Sequence, residues 1–84
     1  MTCSVFIQKS AQKTLGRIAI REQNRIIDAI RALANMPRPP GSKKLSGRDA
    51  WRIRIGDYRV IYEIRDQELI VLVVAIGHRR EIYR

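Results

Sequence analysis

The chain has 84 residues, 45% of them hydrophobic, which allows one modest core in a single domain and excludes a disordered polyelectrolyte. Its formal net charge is +9, and arginine outnumbers lysine thirteen to four. A basic surface weighted toward arginine favours a polyanion or an acidic protein partner, because the guanidinium forks onto phosphates and carboxylates with paired hydrogen bonds. Cys3 is the one cysteine, which rules out an internal disulfide and any Cys-based zinc site, and it is read as a small buried residue. No run approaches the ~18 apolar residues of a membrane-spanning helix, and the N-terminus has no signal-peptide pattern. A cytoplasmic protein without membrane contacts is expected.

Thr2 to Gln8 alternates Cys3, Val5 and Ile7 with Ser4 and Phe6, the pattern of a short first strand. Ser10 is the expected cap of a helix carrying Ala11, Leu15 and Ile18 at helical spacing. Gly16 and Ile18-Ala19-Ile20 mark a break between two helices. From Arg21 to Asn35, Ile26, Ile27, Ile30, Leu33 and Ala34 form an apolar stripe opposed by charged residues. Proline cannot continue a helix, so Met36-Pro37-Arg38-Pro39-Pro40-Gly41 ends it in a loop. Ser42 to Arg48 is basic and polar and leads to a strand at Ala50.

Gly56-Asp57 between two alternating segments is the mark of a two-residue primed turn, which sets the register of the hairpin. Ile55 then pairs with Tyr58, Arg54 with Arg59, Ile53 with Val60, and Trp51 with Tyr62. Side chains alternate faces with a period of two. Trp51, Ile53, Ile55, Tyr58, Val60 and Tyr62 therefore share the core face, and Arg52, Arg54 and Arg59 share the other. The third strand runs from Tyr58 to Arg65, Asp66-Gln67 is the next tight turn, and Glu68 to Ile76 is the fourth strand. This register puts Leu69, Val71, Val73 and Ala75 in the core and leaves Ile70, Leu72, Val74 and Ile76 on the arginine face. A strand apolar on both faces belongs inside the sheet. The expected fold is α+β: a mostly antiparallel four-stranded sheet, β-α-α-β-β-β, with the N-terminal helical hairpin packed on one face and residues 1–84 forming one domain.

Metal ligation and paired-carboxylate chemistry are poorly supplied. His78 is the one histidine, no serine sits in a nucleophile elbow, and Glu63 is expected to be tied to neighbouring cations. No metal and no cofactor is expected. What remains is a cationic cluster with tyrosines and one histidine, a set suited to stabilising a pentavalent phosphate and stacking a base. Trp51, Tyr58 and Tyr62 are read as packing residues.

Three segments together carry a family resemblance: Trp51-Arg52-Ile53-Arg54, Gly56-Asp57-Tyr58-Arg59-Val60-Ile61-Tyr62-Glu63-Ile64, and Gly77-His78-Arg79-Arg80-Glu81-Ile82-Tyr83. The chain resembles the toxins of the RelE/ParE superfamily of type II toxin–antitoxin systems over nearly its whole length, and the RelE branch more than the gyrase-poisoning ParE branch. The resemblance implies ribosome-dependent cleavage of mRNA in the A site, by attack of a ribose 2′-OH on the adjacent phosphate. It implies a metal-independent endoribonuclease with a cognate antitoxin, 16S rRNA and mRNA as partners. By position, Arg52 and Arg54 match basic residues that orient or activate the 2′-OH, and Arg59 and Arg79 match phosphate-binding arginines. Tyr83 matches a tyrosine that stacks on a base or assists proton transfer, and Lys44 matches a basic position that contacts RNA; Lys43 and Arg48 are expected to join it.

The chain departs from the family pattern in having arginine at positions 52 and 54, where some members have lysine. A guanidinium stays charged and is a poor general base. His78 is better suited to proton transfer, with an ordinary value of about 6.5. It either carries such a step or simply ends its strand, and the sequence leaves both readings open. A ParE-type gyrase inhibitor and an inactive RNA- or antitoxin-binding module are the alternative functions.

Overall fold

A computed structural model describes residues 2–78. Apolar spacing builds the elements. β1 (Ser4–Ile7) presents Val5 and Ile7 to the core and leaves Phe6 exposed. α1 (Lys9–Gly16) buries Ala11 and Leu15, one helical turn apart. α2 (Ile20–Ala32) buries Ile26 and Ile30, with Leu33 extending the same stripe. Glu22 in its first turn and Arg31 in its last both complement the helix dipole. The expected cap at Ser10 is corrected: Gln8 precedes the helix without a side-chain cap bond, and Ser10 lies in the first turn. Gln12 donates Nε2–H to the Ile7 carbonyl at 2.7 Å, tying the start of α1 to the end of β1.

Four further strands follow: β2 (Lys43–Lys44), β3 (Trp51–Ile55), β4 (Tyr58–Arg65) and β5 (Ile70–His78). The sheet has five strands in the order β1-β5-β4-β3-β2, with β1 parallel to β5 and the other pairings antiparallel. The four-stranded expectation misses β2, a two-residue ladder too short to show any periodicity. As its apolar run implies, β5 is an inner strand, between β1 and β4.

The β3–β4 register is the one the Gly-Asp turn implies. Trp51 lies opposite Tyr62, Ile53 opposite Val60, Arg54 opposite Arg59 and Ile55 opposite Tyr58. Gly56 takes a positive φ of 59°, which a primed hairpin loop requires and which glycine adopts without a Cβ clash.

β5 departs from expectation in two ways. It begins at Ile70, after a turn in which Leu69 has a φ of 55°, and extends to His78. A bulge also interrupts the β4–β5 ladder: Ile61 faces Ala75, but Tyr62 faces Val73, leaving Val74 as the extra residue. Beyond the bulge the faces exchange. Ile76 joins Val60 in the core at 5% exposure, and Ala75 takes its place beside Ile61 on the arginine face.

The core lies between the helices and one sheet face, where Ile26, Ile30 and Leu33 meet Ile53, Val60, Tyr62, Val71 and Val73. A strap closes one end. The buried Tyr62 donates its hydroxyl to the Pro37 carbonyl at 2.8 Å. Arg38 lies 5.1 Å from the Trp51 ring centroid and forks onto Asp66 at 3.1 and 3.0 Å. The proline loop is thereby fastened over the hairpin base. Among the described residues, no helix is long and apolar enough to cross a membrane.

Candidate nucleic-acid interface

Opposed residues of an antiparallel pair project to the same side, so the register assembles the face turned away from the helices. One row runs Lys43, Arg52, Ile61, Ala75; the next runs Arg54, Arg59, Gly77. Four cations thus surround a floor of one isoleucine, one alanine and one glycine. The sequence identified the cations, but the floor residues Ala75 and Gly77 depend on the bulge and were out of its reach.

Arg54 is exposed and donates Nε–H to the Gly56 carbonyl at 3.3 Å, which bends it along the hairpin tip. Arg59 is only 9% exposed, and its Nε and Nη1 are buried with no hydrogen-bond partner among the described residues. The ion pairs recorded among those residues link Arg38 to Asp66, Lys44 to Asp49 and Arg65 to Glu63. None of them reaches Arg54 or Arg59. A buried donor left unsatisfied costs about 1–3 kcal/mol, and more when charged. Two guanidinium donors of Arg59 are thus buried without a partner among the described residues, which suits an incoming anion: hydrogen bonds made there are strengthened by the low local dielectric.

Lys44 alternates away from Lys43 and sits opposite Trp51, with Nζ 4.0 Å from Asp49. Arg48 is exposed beside a surface cavity of about 350 Å³ that it shares with Asp49, Glu63 and Arg65. As expected from sequence, Glu63 is tied to a cation, accepting from Arg65 at 3.2 Å. Arg79 and Tyr83 lie outside the described residues.

The register separates His78 from the arginines. His78 lies opposite Tyr58, on the helix side of the sheet, while its neighbour Gly77 lies opposite Arg59. The His78 and Tyr58 rings meet edge to face, with centroids 5.8 Å apart and planes at 83°. Glu22 and Arg25 of α2 and Ile55, Gly56 and Asp57 of the hairpin tip complete a cavity of about 280 Å³ around that pair. Arg25 reaches the tip from the helix side, its Nη1 only 3.6 Å from where a Cβ on Gly56 would stand. Sequence placed Arg25 on the polar side of its helix, a location that carries no hint of this approach.

Among the described residues, no group of three His, Cys, Asp or Glu side chains is placed to hold a metal ion. The face offers fixed positive charge and hydrogen-bond donors, and its chemistry is that of holding and stabilising an anionic group.

Curated protein sequences give no match to this chain. Solved structures do. The RelE toxin in the archaeal RelE–RelB complex of Pyrococcus horikoshii OT3 superposes with a TM-score of 0.86 at 29% identity, covering 96% of this chain and 99% of its own. A chain of the RelBE2 toxin–antitoxin complex of Mycobacterium tuberculosis gives 0.85 at 21% identity, with 96% and 95% covered. A free double arginine-to-alanine variant of the E. coli toxin RelE gives 0.82 at 20% identity, with 98% and 88% covered. The latter two show a shared fold. Residues 5–83 match the family described as the ParE toxin of the type II toxin–antitoxin system parDE. With that match spanning nearly the whole chain, and with RelE toxins as structural neighbours, the chain belongs to the RelE/ParE toxins of type II toxin–antitoxin systems.

Proposed function

We propose that this toxin is a ribosome-dependent mRNA endonuclease. In this reading a ribose 2′-oxygen attacks the adjacent phosphorus, the bond to the 5′-oxygen breaks, and the products are a 2′,3′-cyclic phosphate and a free 5′-hydroxyl. Arg59 and Arg79 stabilise charge on the phosphoryl oxygens, Arg52 and Arg54 orient the 2′-OH side, and Tyr83 stacks on a base. Lys43, Lys44 and Arg48 contribute to docking on 16S rRNA. The observation that carries the reading is the buried Arg59 guanidinium, with two donors unpartnered among the described residues, in a face of four cations. Holding the reactants in line is left to the ribosome, and such alignment can be worth about 7–11 kcal/mol. Free RNA is therefore a poor substrate.

Neutralisation falls to a cognate antitoxin with an acidic toxin-binding segment that folds over the basic face. Structural relatives crystallised as RelE–RelB and RelBE2 toxin–antitoxin complexes support that assignment. A second reading, inhibition of DNA gyrase, is favoured by the match to the ParE family. Primer extension on a reporter mRNA after brief induction decides between them. Cuts confined to translated frames support the nuclease; intact mRNA with cleaved DNA supports gyrase poisoning.

A further inference from the structure

The two edges of the sheet are guarded unequally. A free strand edge invites a further strand, and folds blunt it with lysine, proline or a bulge. The β2 edge has such guards: Lys43 and Lys44 form the strand, and Pro37, Pro39 and Pro40 precede it. The β1 edge has none. Residues 2–8 carry no charge and no proline, in a chain that is 30% charged. Ser4 and Gln8 donate backbone N–H to the Leu69 and Val73 carbonyls, so even-numbered residues bond toward β5 and odd-numbered ones face outward. At the two ends the outward groups are engaged: Cys3 donates N–H to the Ala34 carbonyl, and the Ile7 carbonyl accepts from Gln12. Between them the Val5 N–H and C=O and the Ile7 N–H have no partner among the described residues. Phe6, on the outer face of the same strand, is 54% exposed. On the helix side the edge borders a groove of about 680 Å³ walled by Leu15, Ile27 and Ile30, with Arg31 the one charged lining residue among those described.

The occupant that fits this edge is a second copy of the chain. β1 stands two strand spacings from β4 and three from β3, roughly 10 and 14 Å, so the arginine rows lie about a Debye length or more away. Two chains of formal charge +9 can therefore meet here without setting like charges opposite each other. An acidic partner, by contrast, finds no cation on the strand itself.

We propose that the toxin self-associates by antiparallel pairing of two β1 edges, centred on Phe6. In that register Val5 of one copy lies opposite Ile7 of the other. Val5 N–H donates to the Ile7 carbonyl and Ile7 N–H to the Val5 carbonyl, twice over by symmetry. The Ile7 carbonyl has a second lone pair and keeps its bond from Gln12. The two Phe6 residues form a non-hydrogen-bonded pair, the closer kind, and their rings cover each other. Val5 and Ile7 of each copy project to the helix side, next to the groove of the other. The two-fold axis runs normal to the sheet, so two five-stranded sheets become one and both arginine faces lie on the same side of it. The pairing is independent of the proposed chemistry.

Sedimentation of the full-length toxin over a concentration series should show a monomer–dimer equilibrium. Phe6→Lys should raise the dissociation constant at least roughly tenfold, because it removes an aromatic pair and sets two cations opposite each other. Its melting temperature, measured on the monomer, should stay near that of wild type. Mixing Phe6→Lys with Phe6→Glu should restore association as a heterodimer. In a Cys3→Ala background, Phe6→Cys should oxidise to a disulfide-linked dimer, since opposed Cα atoms of such a pair stand about 4.5 Å apart. Ser4→Cys in the same background should not, its two copies lying roughly 14 Å apart along the strands. A toxin that is monomeric at every concentration overturns the proposal, as does a dimer indifferent to Phe6→Lys or equal cross-linking at positions 4 and 6. A Phe6→Lys variant that still self-associates but no longer binds antitoxin also overturns it, and assigns the edge to the antitoxin.

Discussion

Arg54 and Arg59 stand directly opposite each other across the β3–β4 hairpin, two guanidinium side chains on one sheet face, neither of them ion-paired to a carboxylate among the described residues. Like charges so placed weaken a hairpin by up to about 1 kcal/mol. The fold accepts this because the opposite face of the same hairpin contributes Ile53, Val60 and Tyr62 to the core. The two cations differ in kind. Arg54 lies along the exposed tip, whereas Arg59 is buried.

Removing the Arg59 charge should therefore stabilise the protein while disabling it. Arg59→Met keeps an unbranched apolar stem and deletes donors whose burial costs about 1–3 kcal/mol or more. In a domain of this size each kcal/mol moves the melting temperature by roughly 4–8 °C. Calorimetry should show a higher melting temperature for Arg59→Met than for wild type. A lower one would mean that the guanidinium is satisfied and contributes to the fold.

The strap at the hairpin base makes a separate prediction. Tyr62→Phe removes the hydrogen bond to the Pro37 carbonyl and should cost about 0.5–1.5 kcal/mol in chemical denaturation. Burial pushes the Tyr62 phenol above its ordinary value, opposed by a hydrogen bond with Ser42 and by Arg38. A raised value means stability that is complete below about pH 10 and lost as pH rises further. Wild type should weaken in that alkaline range more than Tyr62→Phe does; parallel declines would contradict the assignment.

Asp66 behaves in the opposite sense. Hydrogen bonds from Arg38, helped by its charge, hold the carboxyl below the usual carboxylate range, against an opposing effect of desolvation. Its contribution is present above the unfolded value of about 3.9 and disappears as pH falls through the lower folded value. Both partners are exposed, so the effect is small and weakened by salt. Asp66→Asn should melt below wild type at neutral pH and low salt, and the gap should close in strong acid, once the carboxyl is protonated in the folded state. A gap that persists in strong acid would assign the loss to packing instead.

Much of the fold and half of the site follow from local patterns. Gly56-Asp57 sets the hairpin register, and through it the meeting of Arg52, Arg54 and Arg59 on one face. Ile26, Ile30 and Leu33 reveal the buried stripe of α2 by spacing alone. β2 escaped because two residues, Lys43 and Lys44, gain strand character only by pairing with Arg52 and Trp51, a non-local fact. The bulge at Val74 escaped for a related reason: an uninterrupted apolar run such as Ile70 to Ile76 has no alternation to betray a shifted register. That shift carries Ile76 into the core and places Gly77, not His78, beside Arg59. The sequence could put His78 near the arginines along the chain, and only the bulged pairing puts it across the sheet.

Docking and chemistry should separate by salt dependence. Lys43 extends the cationic rows beside Arg52 at the sheet edge. If it neutralises one phosphate, Lys43→Ala should weaken ribosome binding and flatten the log–log salt slope by about 0.7–0.9. The cleavage rate at saturating ribosome should stay near wild type. A loss confined to that rate would move Lys43 into the reacting site.

The most direct measurement is single-turnover cleavage of mRNA on programmed ribosomes by wild type and Arg59→Ala, with ribosome occupancy held at saturation for both. Loss of one preorganised donor at a developing anion typically costs 10²–10³ in rate, about 2.7–4 kcal/mol. The account predicts a fall of that size, with a 2′,3′-cyclic phosphate as the wild-type product end. Equal rates for the two proteins, or no cleavage by the wild type at all, would contradict it.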